Sequence, residues 1–295
     1  MSTFDARSTA EQVSEGIDLR GKTWLVTGCN SGIGLETARV LSLRGAHVVG
    51  AARTLEKAKE ALAGLPNPGS PLACELSDLG SVRGAVEAIR SMGTALDGVI
   101  ANAGIMALPK AETKYGLELQ FLTNHVGHFA LVTGIDDLMT DLARVVVVSS
   151  GAHRYASERG LELDNLDGAT DYEPWRMYGR SKLANILFAR TLAHRFAKGG
   201  SQRTAFSLHP GVIRTNLTRH IADVDTLLAP MKSSMKTVAQ GAATQVYVAT
   251  QPGLEAHSGA YFSDCAVART IPSGTDDALG EVLWGRTETL LAALG

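Results

Sequence analysis

The segment Arg144-Val145-Val146-Val147-Val148-Ser149-Ser150 restricts the architecture of this chain more than any other. Its β-branched run favours a strand, and a strand that is apolar at successive rather than alternate positions is buried on both faces. A parallel sheet covered by helices above and below provides that burial. The remainder of the chain alternates to match. Strands are predicted at Thr23 to Thr27, Ala46 to Arg53, Leu72 to Leu76, Leu96 to Ala101, Thr204 to His209 and Gly259 to Phe262. Helical spacing appears at Ile33 to Leu43, Thr54 to Leu62, Leu79 to Ser91, Tyr115 to Met139, from Tyr178 onward, Val238 to Ala249 and Asp276 to Leu291. The prediction is an α/β fold, an open doubly wound parallel sheet of about seven strands with helices on both faces, forming one domain over 20–295. Residues 1–19 are expected to be a flexible extension, and 212–237 a mobile substrate lid with short helices.

Composition removes several function classes. A formal charge of −2 over 295 residues gives no electrostatic case for a nucleic-acid partner. Cys29, Cys74 and Cys265 are widely spaced and read as reduced thiols, consistent with a cytoplasmic location. The polar N-terminus does not look like a secretory signal, and no stretch approaches the ~20 apolar residues of a membrane span. No metal is expected: His125 and His128 lack a third ligand at suitable spacing.

In such sheets ligands lie at the carboxyl ends of the strands, and Gly28, Arg53, Asn102, Ser150 and Pro210 all fall at such ends. The turn Gly28-Cys29-Asn30-Ser31-Gly32-Ile33-Gly34 joins a strand to a helix, where small residues admit a phosphate to free helix N–H groups. Its Gly-xxx-Gly-x-Gly spacing differs from the general Gly-x-Gly-x-x-Gly fingerprint. The second strand ends in Ala52-Arg53. An acid there would hold a ribose 2′-hydroxyl, whereas an arginine accommodates a 2′-phosphate, so NADP(H) is favoured over NAD(H). Asn102-Ala103-Gly104 allows close approach of backbone to cofactor. A hydrolase built on Ser150 and His153 is disfavoured because no Gly-x-Ser-x-Gly elbow is present.

Tyr178 and Lys182 are four residues apart in a helix-forming segment and share a face. A free phenol titrates near ~10, and an adjacent cation favours its phenolate. If Lys182 and a cationic cofactor ring lowered that value by ~3 units, their differential stabilisation of the phenolate would be roughly 4 kcal/mol.

Together these residues resemble the short-chain dehydrogenase/reductase family over about residues 20 to 292. The motifs are Thr27-Gly28-xxx-Gly32-Ile33-Gly34, Asn102-Ala103-Gly104, Asn124, Ser149-Ser150, Tyr178-xxx-Lys182 and Pro210-Gly211-Val212-Ile213-Arg214-Thr215. Asn124-His125-Val126-Gly127-His128-Phe129 and Tyr261-Phe262-Ser263-Asp264-Cys265 are most similar to the retinol dehydrogenase-like branch. Ala101 departs from the pattern, standing where the family usually has an asparagine. The membrane anchor of the animal retinol dehydrogenases is missing, so retinoid chemistry is not implied. The resemblance implies a Rossmann-type oxidoreductase that interconverts an alcohol and a carbonyl on a small molecule. Tyr178 would be the acid–base, Lys182 would depress its pKa and hold the ribose, Ser150 would polarise the reacting oxygen, and Asn124 would hold a relay water. Asp78 and Leu79 would lie near the adenine, Thr215 and Ile213 near the nicotinamide, and a homo-dimer or homo-tetramer is expected.

The candidate substrate wall of Met106, Leu108, His153, Tyr155, Trp175, Leu217 and Met231 suggests a hydrophobic or ring-bearing substrate. The alternative is an NADP(H)-binding sensor on the same fold, which would have no use for intact catalytic side chains. A sugar-nucleotide epimerase of the related extended group is disfavoured by the glycine spacing and the short region after Pro210.

Overall fold

The structure, a computed structural model, describes residues 4–156, 158–221 and 223–294. Its main sheet holds β1 (Thr23–Thr27), β2 (His47–Ala52), β3 (Ser70–Ala73), β4 (Leu96–Ala101), β5 (Met139–Val148), β6 (Thr204–His209), β7 (Tyr261–Ser263) and β8 (Ala266–Val267). The spatial order is β8-β7-β6-β5-β4-β1-β2-β3. Every pairing is parallel except β7 with β8. The two-residue edge strand β8 is the addition to the seven expected, and it is too short to carry a sequence pattern. Strand order reverses direction between β1 and β4, which opens a crevice at their carboxyl ends.

The valine run is buried on both faces. Val145 and Val147 join one core layer with Leu25, Val99, Phe129, Phe188 and Trp284. Val146 and Val148 join the other with Val26, Ile100, Phe206, Leu41 and Val248. The first layer is supplied by α4 (Leu79–Ser91), α5 (Gly127–Gly134), α6 (Pro174–Lys198) and α8 (Asp277–Leu294), and the second by α2 (Gly32–Leu43), α3 (Leu55–Leu62) and α7 (Ala243–Thr250). Among the described residues no helix is long and apolar enough to cross a membrane.

Three expectations about elements change. The N-terminal segment packs instead of fraying: α1 (Ala10–Val13) opens with a Thr9/Gln12 capping box and buries Ala10 and Val13 against Val40, Ala242 and Val246. Arg7 donates to the carbonyls of Ser233 and Met235. Residues 1–3 of the expected extension lie outside the described residues. The helix expected from Tyr115 begins at Leu119, because Tyr115 and Gly116 both adopt positive φ in a tight hairpin pairing Thr113–Lys114 with Leu117–Glu118. It passes through a π-helical turn, Leu122–Val126, and Met139 already belongs to β5. The helix expected over Val238 to Ala249 is two, Val238–Gly241 and α7. In the lid span, Asn216–His220 and Ala229–Ser234 form 3-10 turns and Val224–Leu228 a short helix, and Val212–Ile213 pairs with Met235–Lys236 at its ends. Residue 222 lies outside the described residues.

Two histidines lie wholly inside the helical layer. The His125 ring contacts those of Phe121, Phe129 and Phe188, and burial pushes its pKa down to about 3. Burial holds His128 down at about 4. Both rings are neutral when folded and charge near pH ~6.5 when unfolded. Their stabilisation is therefore complete above about pH 6.5 and is lost as the pH falls toward about 4, where the unfolded chain binds protons that the folded one excludes. Urea unfolding across that window should lose about 1.4 kcal/mol per pH unit for each of these rings. Stability that stays flat between about pH 7 and about pH 5 would contradict this.

Candidate active site

The crevice between β1 and β4 is lined by backbone that leaves no room for side chains. Gly28 has φ +68°, and a Cβ there would lie 3.0 Å from Ala103 Cα; one on Gly34 would lie 2.3 Å from the Gly28 carbonyl oxygen and 2.4 Å from Asn102 Nδ2. Thr27 is the hub. Its carbonyl accepts from Asn102 Nδ2 at 2.9 Å, and its hydroxyl oxygen accepts from the main-chain N–H of Asn102 at 2.9 Å and of Ala103 at 3.0 Å. Ser31 precedes α2 with no side-chain cap bond, so the first N–H groups of that helix stay open toward the turn that Asn30 and Ser31 complete.

Thr215 closes the other side. Its methyl would lie 3.2 Å from a Cβ on Gly32, and Ile33 and Ile213 both press on Gly241. Pro210 is buried and Gly211 turns at φ +102°. The buried Asn102 Oδ1 has no hydrogen-bond partner among the described residues. Tight glycines, an open helix terminus and an orphaned acceptor together fit a dinucleotide with its pyrophosphate at the start of α2. Arg53 stands exposed at the end of β2 with no ion pair among the described residues. Two expected residues are engaged elsewhere. Asp78 caps α4 through Ser81 N–H at 3.0 Å and pairs with Lys114 at 2.7 Å, a hydrogen bond that holds its carboxyl below the usual range. Leu79 buries its side chain with Leu117 and Phe121, so it offers a ligand only main chain.

Beyond the crevice, the end of β5, the π-helical turn Leu122–Val126 and α6 bring the four expected catalytic residues together. Glu173 caps the start of α6 and Pro174 occupies its first turn, which sets the helix entry five residues before Tyr178. Tyr178 is 3% exposed, and Lys182, 3% exposed, stands one turn on with Nζ 5.6 Å from the phenol ring centre. Lys182 Nζ donates to the Val148 carbonyl at 3.0 Å. Asn124, in the π-helical turn, accepts from Ile105 N–H at 2.9 Å and donates to Ile105 O and to Ser181 Oγ, both at 2.9 Å. Ser181 Oγ in turn donates to the Tyr178 carbonyl at 2.7 Å.

The electrostatics of the protein alone differ from expectation. Burial pushes the Tyr178 phenol up to about 12, and the hydrogen bond with the Ser150 side chain works against that rise. Burial brings Lys182 down to about 7. Burial is the largest influence on both groups in the protein alone, whereas the expected depression of the phenol calls on a cationic cofactor ring together with Lys182.

Met106, Ala107 and Tyr178 form an apolar cluster joined by Ala152, Trp175, Leu217 and Ile221. The expected wall changes at several positions. Leu108 is 2% exposed and Tyr172 Oη donates to its carbonyl; Tyr155 touches Trp175 from an exposed position, and Met231 is exposed. His153 is not a wall residue, since it is fully buried with its ring against Tyr261. Gln120 was not singled out from the sequence, and His128 was weighed there only as a metal ligand. Gln120 Oε1 accepts from Ala107 N–H at 2.7 Å, holding a residue with φ +49°. His128 links Asn124 O at 3.0 Å to Thr27 Oγ1 at 2.8 Å. Only their polarity inside apolar stripes could have signalled them.

Residues 22–161 match the family model described as short chain dehydrogenase. The chain is 37% identical to the short-chain dehydrogenase TIC 32 B, chloroplastic, of Brassica napus, covering 99% of this chain and 96% of that protein. It is also 37% identical to human retinol dehydrogenase 14, covering 94% and 88%. A crystal structure of an uncharacterised protein from Mycobacterium paratuberculosis superposes with a TM-score of 0.77 at 31% identity, covering 94% of this chain and 96% of the other. The arrangement of Ser150, Tyr178, Lys182 and Asn124 at the ends of a doubly wound sheet, together with this likeness over nearly the whole length, makes the chain an oxidoreductase of the short-chain dehydrogenase/reductase family.

Proposed function

We propose that this protein interconverts an alcohol and a carbonyl on an apolar or ring-bearing small molecule, with NADP(H) as cofactor and Tyr178 as the acid–base. The observation that carries the reading is the buried Tyr178 hydroxyl beside Ser150, at the base of the apolar cluster of Met106, Trp175, Leu217 and Ile221. When bound, the dinucleotide supplies or accepts a hydride at its nicotinamide ring. The protein handles the proton. In reduction, the phenol delivers its proton to the carbonyl oxygen while Ser150 donates a hydrogen bond to the same atom as charge develops there. In the reverse direction the phenol must lose its proton first, and Lys182, one helical turn away, is the cation placed to stabilise the phenolate. Asn124, locked between Ile105 and Ser181, keeps the segment after β4 against α6 and is the residue assigned to the relay water.

The preference for NADP(H) rests on Arg53, which has no carboxylate partner among the described residues. Arg219 from the lid span supports it: burial lowers its pKa, Arg53 lowers it further, and Glu75 opposes. Two guanidinium groups near one another at the end of β2 suit a doubly charged phosphate better than a neutral hydroxyl. The kinship with retinol dehydrogenase 14, named for an apolar ring-bearing alcohol, is in keeping with the cluster over Tyr178.

Purified protein given NADPH and a panel of aldehydes and ketones should consume the reduced nicotinamide. Tyr178→Phe should lower kcat by about 10²- to 10⁴-fold, the usual contribution of positioned proton transfer, with cofactor affinity little changed. Equal rates in that variant would remove Tyr178 from the chemistry. Arg53→Ala should weaken NADPH by about 1.5–3 kcal/mol and leave NADH nearly untouched, as expected on losing charge-assisted bonds. Tighter binding of NADH than NADPH by the unmutated protein would overturn the cofactor assignment.

A further inference from the structure

We propose that His153 and His209 are positioning residues that grip one peptide group from both ends and thereby set where the Ser150 hydroxyl stands. The peptide joins Ser150 to Gly151, just past the end of β5. Its carbonyl accepts from His153 Nδ1 at 2.7 Å, and its N–H donates to His209 Nδ1 at 3.0 Å. The inference rests on the reading of Ser150 as the donor to the reacting oxygen.

The hydrogen-bond partners identify each ring's tautomer. A carbonyl oxygen can only accept, so His153 Nδ1 carries a proton. A main-chain amide can only donate, and the Ile271 N–H points at His153 Nε2 at 3.4 Å, so that nitrogen carries a lone pair. His153 is therefore a neutral imidazole with its proton on Nδ1. His209 is the opposite case: Gly151 N–H requires a lone pair on Nδ1, which leaves the proton of the neutral ring on Nε2. A protonated His209 would set N–H against N–H. Burial opposes that state, as do Lys236, His153 and Arg154, with Asp264 alone acting the other way. For His153, burial and Arg154 oppose protonation and the bond to Ser150 O favours it.

Control of this peptide plane is control of the serine. The Ser150 side chain has a single torsion between Cα and the hydroxyl, so the hydroxyl position follows the main chain. Its neighbours already hold the segment upstream: Ser149 N–H donates to Leu208 O at 2.8 Å, and Ser149 Oγ to Lys182 O at 2.7 Å. Beyond them the chain leaves the sheet for a 3-10 turn over Gly151–Ala156, where Ser150 O also accepts from His153 N–H at 3.1 Å and Ser150 Oγ accepts from Ala152 N–H at 3.1 Å. Those bonds hold the turn from its own side, and the two imidazoles fix the Ser150–Gly151 peptide plane from the flanking elements. His153 is itself held edge-to-face on Tyr261, with ring centres 5.2 Å apart.

Asparagine and glutamine separate this role from packing. The asparagine amide occupies the Nδ1 position and can donate or accept there, whereas the glutamine amide reaches the Nε2 position; both are polar and of similar bulk. In the full-length enzyme, His153→Asn and His209→Asn should each keep kcat about tenfold or more above His153→Gln and His209→Gln, because displacing a reacting group by a fraction of an ångström has effects of that order. NADPH affinity, read by nucleotide fluorescence, should be alike in all four. In a Ser150→Ala background the difference between Asn and Gln should vanish, since no hydroxyl remains to be placed. Equal kcat for the Asn and Gln variants, or a difference that persists without the Ser150 hydroxyl, would overturn the proposal. Full activity in Ser150→Ala alone would instead overturn the reading of Ser150, and the proposal with it. If Ser150→Ala is inactive while the glutamine variants match the unmutated enzyme, only the histidine proposal fails.

Discussion

The site depends on the main-chain carbonyl of Val148, the last residue of the central strand. A carbonyl that leaves a sheet inside the protein must find donors or carry the cost of an unmade bond. Here α6 supplies two of them: Lys182 Nζ at 3.0 Å and Asn185 Nδ2 at 3.1 Å. Ser149 Oγ returns a bond to the carbonyl of Lys182, so strand end and helix are clasped in both directions. Once that clasp fixes α6, Tyr178 one turn earlier stands beside Ser150, the second residue after the strand. The chemistry is thus built on the unsatisfied end of a parallel sheet.

A second clasp does the same for the dinucleotide crevice. β1 and β4 diverge beyond their paired residues, and Thr27 gathers the loose ends by accepting three bonds from Asn102 and Ala103. His128 then ties Thr27 to Asn124, which ties Ile105 to Ser181 on α6. A continuous set of buried hydrogen bonds runs from the glycine turn to the catalytic helix. Its members share partners, so their substitutions should be energetically coupled rather than additive.

What the sequence disclosed follows from how local each signal is. The valine run, the strand–turn–helix at Gly28 and the Tyr178–Lys182 spacing are written in consecutive residues, and each forms its element in place. Residues 115–139 look helical throughout because their apolar spacing continues, yet positive φ at Tyr115 and Gly116 makes a hairpin first, and the π turn shifts the register at Asn124. The N-terminal segment was illegible for a different reason: two small apolar residues, Ala10 and Val13, anchor it against α7, too few to make a pattern. Electrostatics were least legible. Spacing showed that Tyr178 and Lys182 meet, but burial, a property of the whole fold, decides the direction in which each is shifted.

The histidines show why such clasps use imidazole. Where strands end and diverge, the main chain presents an isolated carbonyl beside an isolated donor, and both must be satisfied without bringing a charge into the core. A neutral imidazole has one donor and one acceptor at opposite sides of a rigid ring, and so spans such a pair in one residue. His153 does this between Ser150 and Ile271, and His128 between Asn124 and Thr27. Lysine would supply only donors and a charge to be desolvated, and an amide on a flexible stem would lose more rotamer freedom on being fixed. The same burial that keeps these rings neutral keeps the tautomers fixed, so the polar framework around the site holds one hydrogen-bond pattern throughout the neutral pH range.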